Sequence, residues 1–217
     1  MKFMEIFQNC EIYTAFPDPN EVFASAIELD NLIPFGILEK KFNGDLHHIL
    51  LAAPIGDEEG FIGKSNFDET LGEAWLSYSN RGGRWGIDCS PSELYSFHFN
   101  RTKFKNDYID KKSRYDECGY MGTQVGEEGR LALVTLCNEV CDSGNWYSYI
   151  NKYVHNSLSP VPGDSRNRLV TLYSKDGSEY VYLGYIGSGG GYSLFNSDIM
   201  FFYNPKLQRV LVVNDWS

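Results

Sequence analysis

The chain has 217 residues, a formal charge of −10 and 42% hydrophobic residues, with 15% of all residues aromatic. That apolar content is too high for a disordered chain, and no apolar run reaches the roughly 18 residues of a membrane span. Met1 to Phe7 carries one Lys and no apolar h-region, and Cys10, Cys89, Cys118, Cys137 and Cys141 show no disulfide-scaffold spacing, so the chain reads as a cytoplasmic protein with reduced thiols.

The first helix signal is Asp18-Pro19-Asn20-Glu21, a capping residue followed by a proline suited to the first helical position. Val22, Phe23, Ala26 and Ile27 extend it as an apolar stripe. A short amphipathic piece over 35–42 precedes the Asn43-Gly44 turn, and Leu46–Ala53 reads as a buried strand. Residues 56–90 are Gly-punctuated and acidic at first. Ser90-Pro91-Ser92-Glu93 repeats the capping pattern and is expected to open a helix with Lys103 and Lys105 near its far end; the alternation of Tyr95, Phe97 and Phe99 is the rival strand signal.

Leu131, Leu133, Val134, Leu136 and Val140 predict a helix over 128–141, opened by Glu127 and Glu128 and broken by Asp142-Ser143-Gly144. Trp146, Tyr149, Ile150, Tyr153 and Val154 fall on one face of a second helix. The two are expected to form a helical hairpin. After the Pro-rich stretch 159–163, segments 168–173, 179–186, 199–203 and 209–214 flank Lys175-Asp176-Gly177 and Asn204-Pro205-Lys206, two hairpin signals. The expected fold class is therefore α+β: a helical hairpin packed on a C-terminal four-stranded antiparallel sheet, with a mixed N-terminal part. It forms one domain over 1–217, with a subdomain boundary at most near 158–166.

Charge is unevenly placed. Residues 1–80 hold 14 acids and 4 bases, whereas 81–217 hold 15 of each. A chain of this sign repels phosphate backbones, so duplex nucleic acid is an unsuitable direct ligand, while a basic protein is attracted. Membrane binding is not indicated, and the sequence does not set the oligomeric state.

The sites that carry chemistry each have a bland counterpart. Gly187-Ser188-Gly189-Gly190-Gly191 lacks the Lys-Ser/Thr of a phosphate loop and reads as a connection between strands. Cys137, Cys141 and His155 could supply three metal ligands, yet no second pair follows, and the cysteines read as small core residues. His47 and His48 are neighbours on a strand and face opposite sides. No Gly-x-Ser-x-Gly elbow, calcium loop or zinc helix occurs, and no metal or cofactor is called for. Tyr180, Tyr182 and Tyr192 could present a ring-lined surface for a peptide, sugar or protein, although core packing also accounts for them.

These features point to a non-enzymatic, acidic binding protein that docks on a basic partner and inhibits or neutralises it, as immunity and inhibitor proteins do. The expected contact surface is Asp57, Glu58, Glu59, Asp68, Glu69 and Glu73, with Trp75 nearby. The alternatives are a small hydrolase or transferase using a Cys/His/carboxylate site, and a virion or assembly component.

Overall fold

Alternation of period two, rather than helical spacing, organises most of the chain. The computed structural model describes residues 3–56, 60–95, 98–122, 129–187 and 197–216, and these form mainly antiparallel sheet. Strands β1 (Met4–Ile6) and β2 (Tyr13–Ala15) are followed by two short helices, α1 (Pro19–Val22) and α2 (Ala26–Asn31). A long hairpin follows, β3 (Leu32–Phe42) and β4 (Asp45–Pro54), then a shorter one, β5 (Trp75–Asn80) and β6 (Trp85–Ile87). Helix α3 (His98–Cys118) leads to short strands β7 (Met121–Gly122), β8 (Arg130–Leu131) and β9 (Val134–Leu136). Helix α4 (Trp146–Ile150) then precedes the hairpin of β10 (His155–Val161) and β11 (Asp164–Tyr173), and β12 (Glu179–Ile186), β13 (Asp198–Asn204) and β14 (Arg209–Asp215) complete the chain.

The main sheet has nine strands, seven of them in the order β1-β9-β12-β13-β14-β5-β6. Strand β11 joins the same edge of β12 that β9 uses: β9 takes Gly184 and Tyr185, while β11 takes Glu179 and Tyr180. A smaller sheet, β2-β3-β4, lies against one face of the main sheet. Its hairpin turns at Asn43 and Gly44, both with positive φ (51° and 97°), the geometry whose twist suits a two-residue β-turn.

Each face of the main sheet has its own core. Leu183, Phe201, Tyr203, Val210 and Val212 pack with Leu38, Ile49 and Leu51 of the small sheet. Their neighbours Tyr182, Met200, Phe202, Leu211 and Val213 pack with Trp146 and Ile150 of α4. Strand β14 is therefore apolar on both sides and sits between β13 and β5. Tyr78 ties the two layers together. Its buried hydroxyl accepts from the Ala52 N–H (2.9 Å) and donates to the Leu50 carbonyl (2.9 Å) on β4, and desolvation pushes the phenol far above its usual range.

The helical hairpin on a four-stranded sheet is corrected by this arrangement. The four C-terminal strands are present, but they belong to the larger sheet. Residues 130–136 form β8 and β9 instead of a helix, with Val134 opposite Ile6 and Thr135 opposite both Glu5 and Tyr185. A near-continuous apolar run fits a buried strand as well as a helix, and here strand partners on both sides decide it. The second expected helix is only α4; the chain turns after Ile150 and becomes β10. Residues 158–166 form the far end of the β10–β11 hairpin.

The helix signalled at Asp18 is split in two. Asp18 caps α1 through the Asn20 N–H (2.9 Å), and Ser25 caps α2 through the Ile27 N–H (3.1 Å). The Ser25 hydroxyl also donates to the Glu28 carboxylate (2.6 Å). The 35–42 piece is part of β3. Pro91–Glu93 is a 3-10 turn, and the long helix begins only at His98, outlasting the expected end near Lys105 by more than a dozen residues. No helix among the described residues is long and apolar enough to cross a membrane.

Candidate functional site

The expected acidic surface is divided. Asp57, Glu58 and Glu59 lie outside the described residues. Asp68 accepts from the Thr70 N–H and hydroxyl (2.7 Å each); burial pushes its carboxyl up, but the Thr70 bonds and Lys175 outweigh this and hold it below its ordinary value. Glu69 accepts from the Lys175 N–H (2.7 Å) and from Arg209 Nη1 (3.4 Å). Asp88 forms an ion pair with Arg209 (Nε to Oδ2, 3.1 Å) and accepts from the Ser77 and Ser79 hydroxyls (2.9 Å each). Asp68 and Glu69 are thus tied into bonds that join β5, β14 and the turn after β11. Glu73 is exposed, whereas Trp75 is 1% exposed and donates its indole N–H to the Asp68 carbonyl (3.0 Å).

A different group of rings and carboxylates converges on the α4 side of the main sheet. Tyr182 pairs with Phe202 and Tyr185 with Met200. A register shift between Tyr182 and Gly184 brings the two tyrosines, three residues apart, to the same face. They border a cavity of about 260 Å³ with Trp146 and Phe3, and Glu139, Asp198 and Asp215 also line it. No basic residue is among the described residues that line it. Asp198 and Asp215 are opposite one another on β13 and β14, and Asp215 accepts from the Trp146 N–H (3.3 Å). The rings are braced from behind: Phe202 lies 4.9 Å from Tyr182 and 5.6 Å from Trp146, centroid to centroid.

Cys137 and Cys141 also border this cavity. Burial pushes both thiols up; at Cys137 the hydrogen bond with Tyr182 and the charge of Lys40 oppose the rise without cancelling it. Both are therefore protonated thiols near neutral pH, poor nucleophiles and poor metal ligands. They lie on β9's outgoing segment rather than on a helix, and His155 is exposed at the start of β10. Among the described residues, no three His, Cys, Asp or Glu side chains are placed to hold a metal ion. All five cysteines are free.

A larger cleft, about 530 Å³, opens where three hairpins end side by side: β3–β4, β5–β6 and β13–β14. His47 lines it and its Nδ1 is 2.8 Å from the Tyr203 hydroxyl. His48 makes a separate contact, Nδ1 to Glu39 at 3.3 Å, so the two imidazoles have different partners. Residues 188–191 of the glycine run, and Tyr192, lie outside the described residues.

Sequence reading singled out Tyr182 but missed Tyr185, because strict alternation assigns the two to opposite faces. The one local signal is Gly184, a glycine inside a strand pattern, which often marks a bulge. Comparison with protein-family models, with curated proteins and with solved structures gives no match.

Proposed function

We propose that the protein is a non-enzymatic binding protein that engages a basic partner protein by receiving one of its Arg or Lys side chains against Tyr185, in the cavity that the buried Tyr182 and Trp146 border. The observation that carries this reading is the lining itself: aromatic rings and three carboxylates around one small cavity. Aromatic faces attract cations, by about 0.5–2 kcal/mol per contact depending on desolvation, and nearby carboxylates add Coulomb attraction. At about 260 Å³ the cavity falls below the roughly 300 Å³ at which small-molecule sites begin, which suits a single side chain.

The net charge of −10 fits the same reading, since it speeds encounter with a basic surface at low salt. Covering a cation that the partner needs would neutralise that partner, which is the inhibitor reading of the sequence carried to a place on the fold. The raised thiols of Cys137 and Cys141 give a Cys-based hydrolase no support here.

Isothermal titration with an arginine-rich peptide tests the proposal. Binding should weaken steeply as salt rises, and Tyr185→Ala or Asp198→Asn should weaken it about three- to thirtyfold while leaving the melting temperature near that of the parent. Equal affinity in both variants would remove the pocket from the binding surface.

A further inference from the structure

The cleft at the three hairpin ends has a chemistry of its own, independent of the aromatic pocket. We propose that it binds a small neutral polyhydroxylated ligand of the sugar class. Its volume, about 530 Å³, lies within the range of small-molecule sites. Val22, Ile37, Leu46 and Trp85 give it an apolar wall, and Asp45, His47, Asn80 and Gln208 give it polar groups. No Lys or Arg is among the described lining residues, which include His48 beside His47, and Asp45 is the one carboxylate among them. Carboxamides both donate and accept hydrogen bonds, as hydroxyl groups do. An apolar wall opposite them suits the C–H faces of a sugar ring.

Several of the polar groups are already oriented. Tyr203 is buried, and its hydroxyl holds the His47 ring in place through Nδ1 at 2.8 Å. Asn80 Oδ1 accepts from the Gly83 N–H (2.8 Å), which leaves the Asn80 amide N–H groups to donate. Gln208 stands at φ 48°, a left-handed conformation that glycine adopts more readily, while its carbonyl accepts from the Asn80 N–H (2.9 Å). Backbone strain of this kind gathers at binding sites, and here it places a carboxamide side chain on the cleft.

The strain makes the test sharp. Saturation-transfer NMR on the full chain, with a panel of hexoses, pentoses and N-acetylhexosamines at millimolar concentration, should show transfer to the ring protons of at least one sugar. Gln208→Gly and Asn80→Ala should each weaken that binding about five- to tenfold. Gln208→Gly relieves the left-handed glutamine, so its melting temperature should equal or slightly exceed the parent's, which separates lost binding from lost folding. Absence of transfer to every sugar would overturn the proposal. So would unchanged affinity in both variants, or binding of adenosine in preference to all the sugars.

Discussion

The carbonyl oxygen of Thr135 stands well inside contact distance of the point where a Cβ on Gly184 would lie. Strands β9 and β12 meet there at a separation that only glycine permits. Gly184 also has φ 133°, and it, rather than Leu183, takes the place opposite Phe201. The bulge that carries Tyr185 to the face of Tyr182 therefore depends on this one residue.

Replacing Gly184 with Ala should cost roughly 2–4 kcal/mol, from the strained φ and the forced separation of the strands together. Urea unfolding measures this directly. An unchanged midpoint would show that β9 can move away without loss.

Tyr78→Phe removes a hydroxyl that serves both a donor and an acceptor on β4. The Ala52 N–H and Leu50 carbonyl are then left buried without it, at a cost of about 1–3 kcal/mol. The same unfolding measurement checks this, and a loss under a few tenths would mean that water takes the place of the phenol.

Several carboxylates are held below their ordinary values in the fold. For Asp176 the causes are first Lys206 (2.8 Å), then the Ser174 and Ser178 hydroxyls; for Asp30 it is chiefly Lys105 (2.7 Å). The unfolded chain recovers a carboxylate pKa near ~3.9 and binds more protons than the fold as the pH falls. The stability these groups contribute is therefore complete above that value and is lost as pH drops through the lower folded pKa. The urea midpoint should be flat with respect to these groups above about pH 5 and fall below about pH 4. Asp176→Asn should reduce that fall, and an identical pH profile in the variant would remove Asp176 from the account.

Truncation after Lys206 removes β14, whose Val212 and Val213 pair with Leu76 and Trp75 on one side and with Phe201 and Met200 on the other. Both cores lose residues at once. Domain stability is only about 5–15 kcal/mol, so the shortened chain should be unfolded or insoluble. Cooperative melting of a soluble truncation near the parent temperature would contradict the central place of this strand.

The C-terminal strands were legible because alternation and turn residues agree. Lys175-Asp176-Gly177 and Asn204-Pro205-Lys206 bracket them, and Arg209 to Val213 is β-branched on both faces. Residues 130–140 misled because Leu131 with Val134, and Leu133 with Leu136 and Val140, satisfy helical spacing, while the partners that make a strand, Ile6 and Tyr185, are distant in sequence. The acidic cluster was legible as charge but not as geometry. Nothing local to Asp68 and Glu69 announces that Lys175 and Arg209 will reach them. The aromatic pocket was half legible: Tyr182 stood out, and Tyr185 needed the bulge.

The most direct measurement of the central claim is a backbone and indole NMR titration of the full chain with an arginine-rich peptide. The account predicts shifts concentrated at the Trp146 indole and at the amides of Tyr182, Tyr185, Asp198 and Asp215, reversed by salt and absent in Tyr185→Ala. Shifts concentrated instead around Asp68, Glu69 and Glu73, or no shifts at low salt, would contradict it.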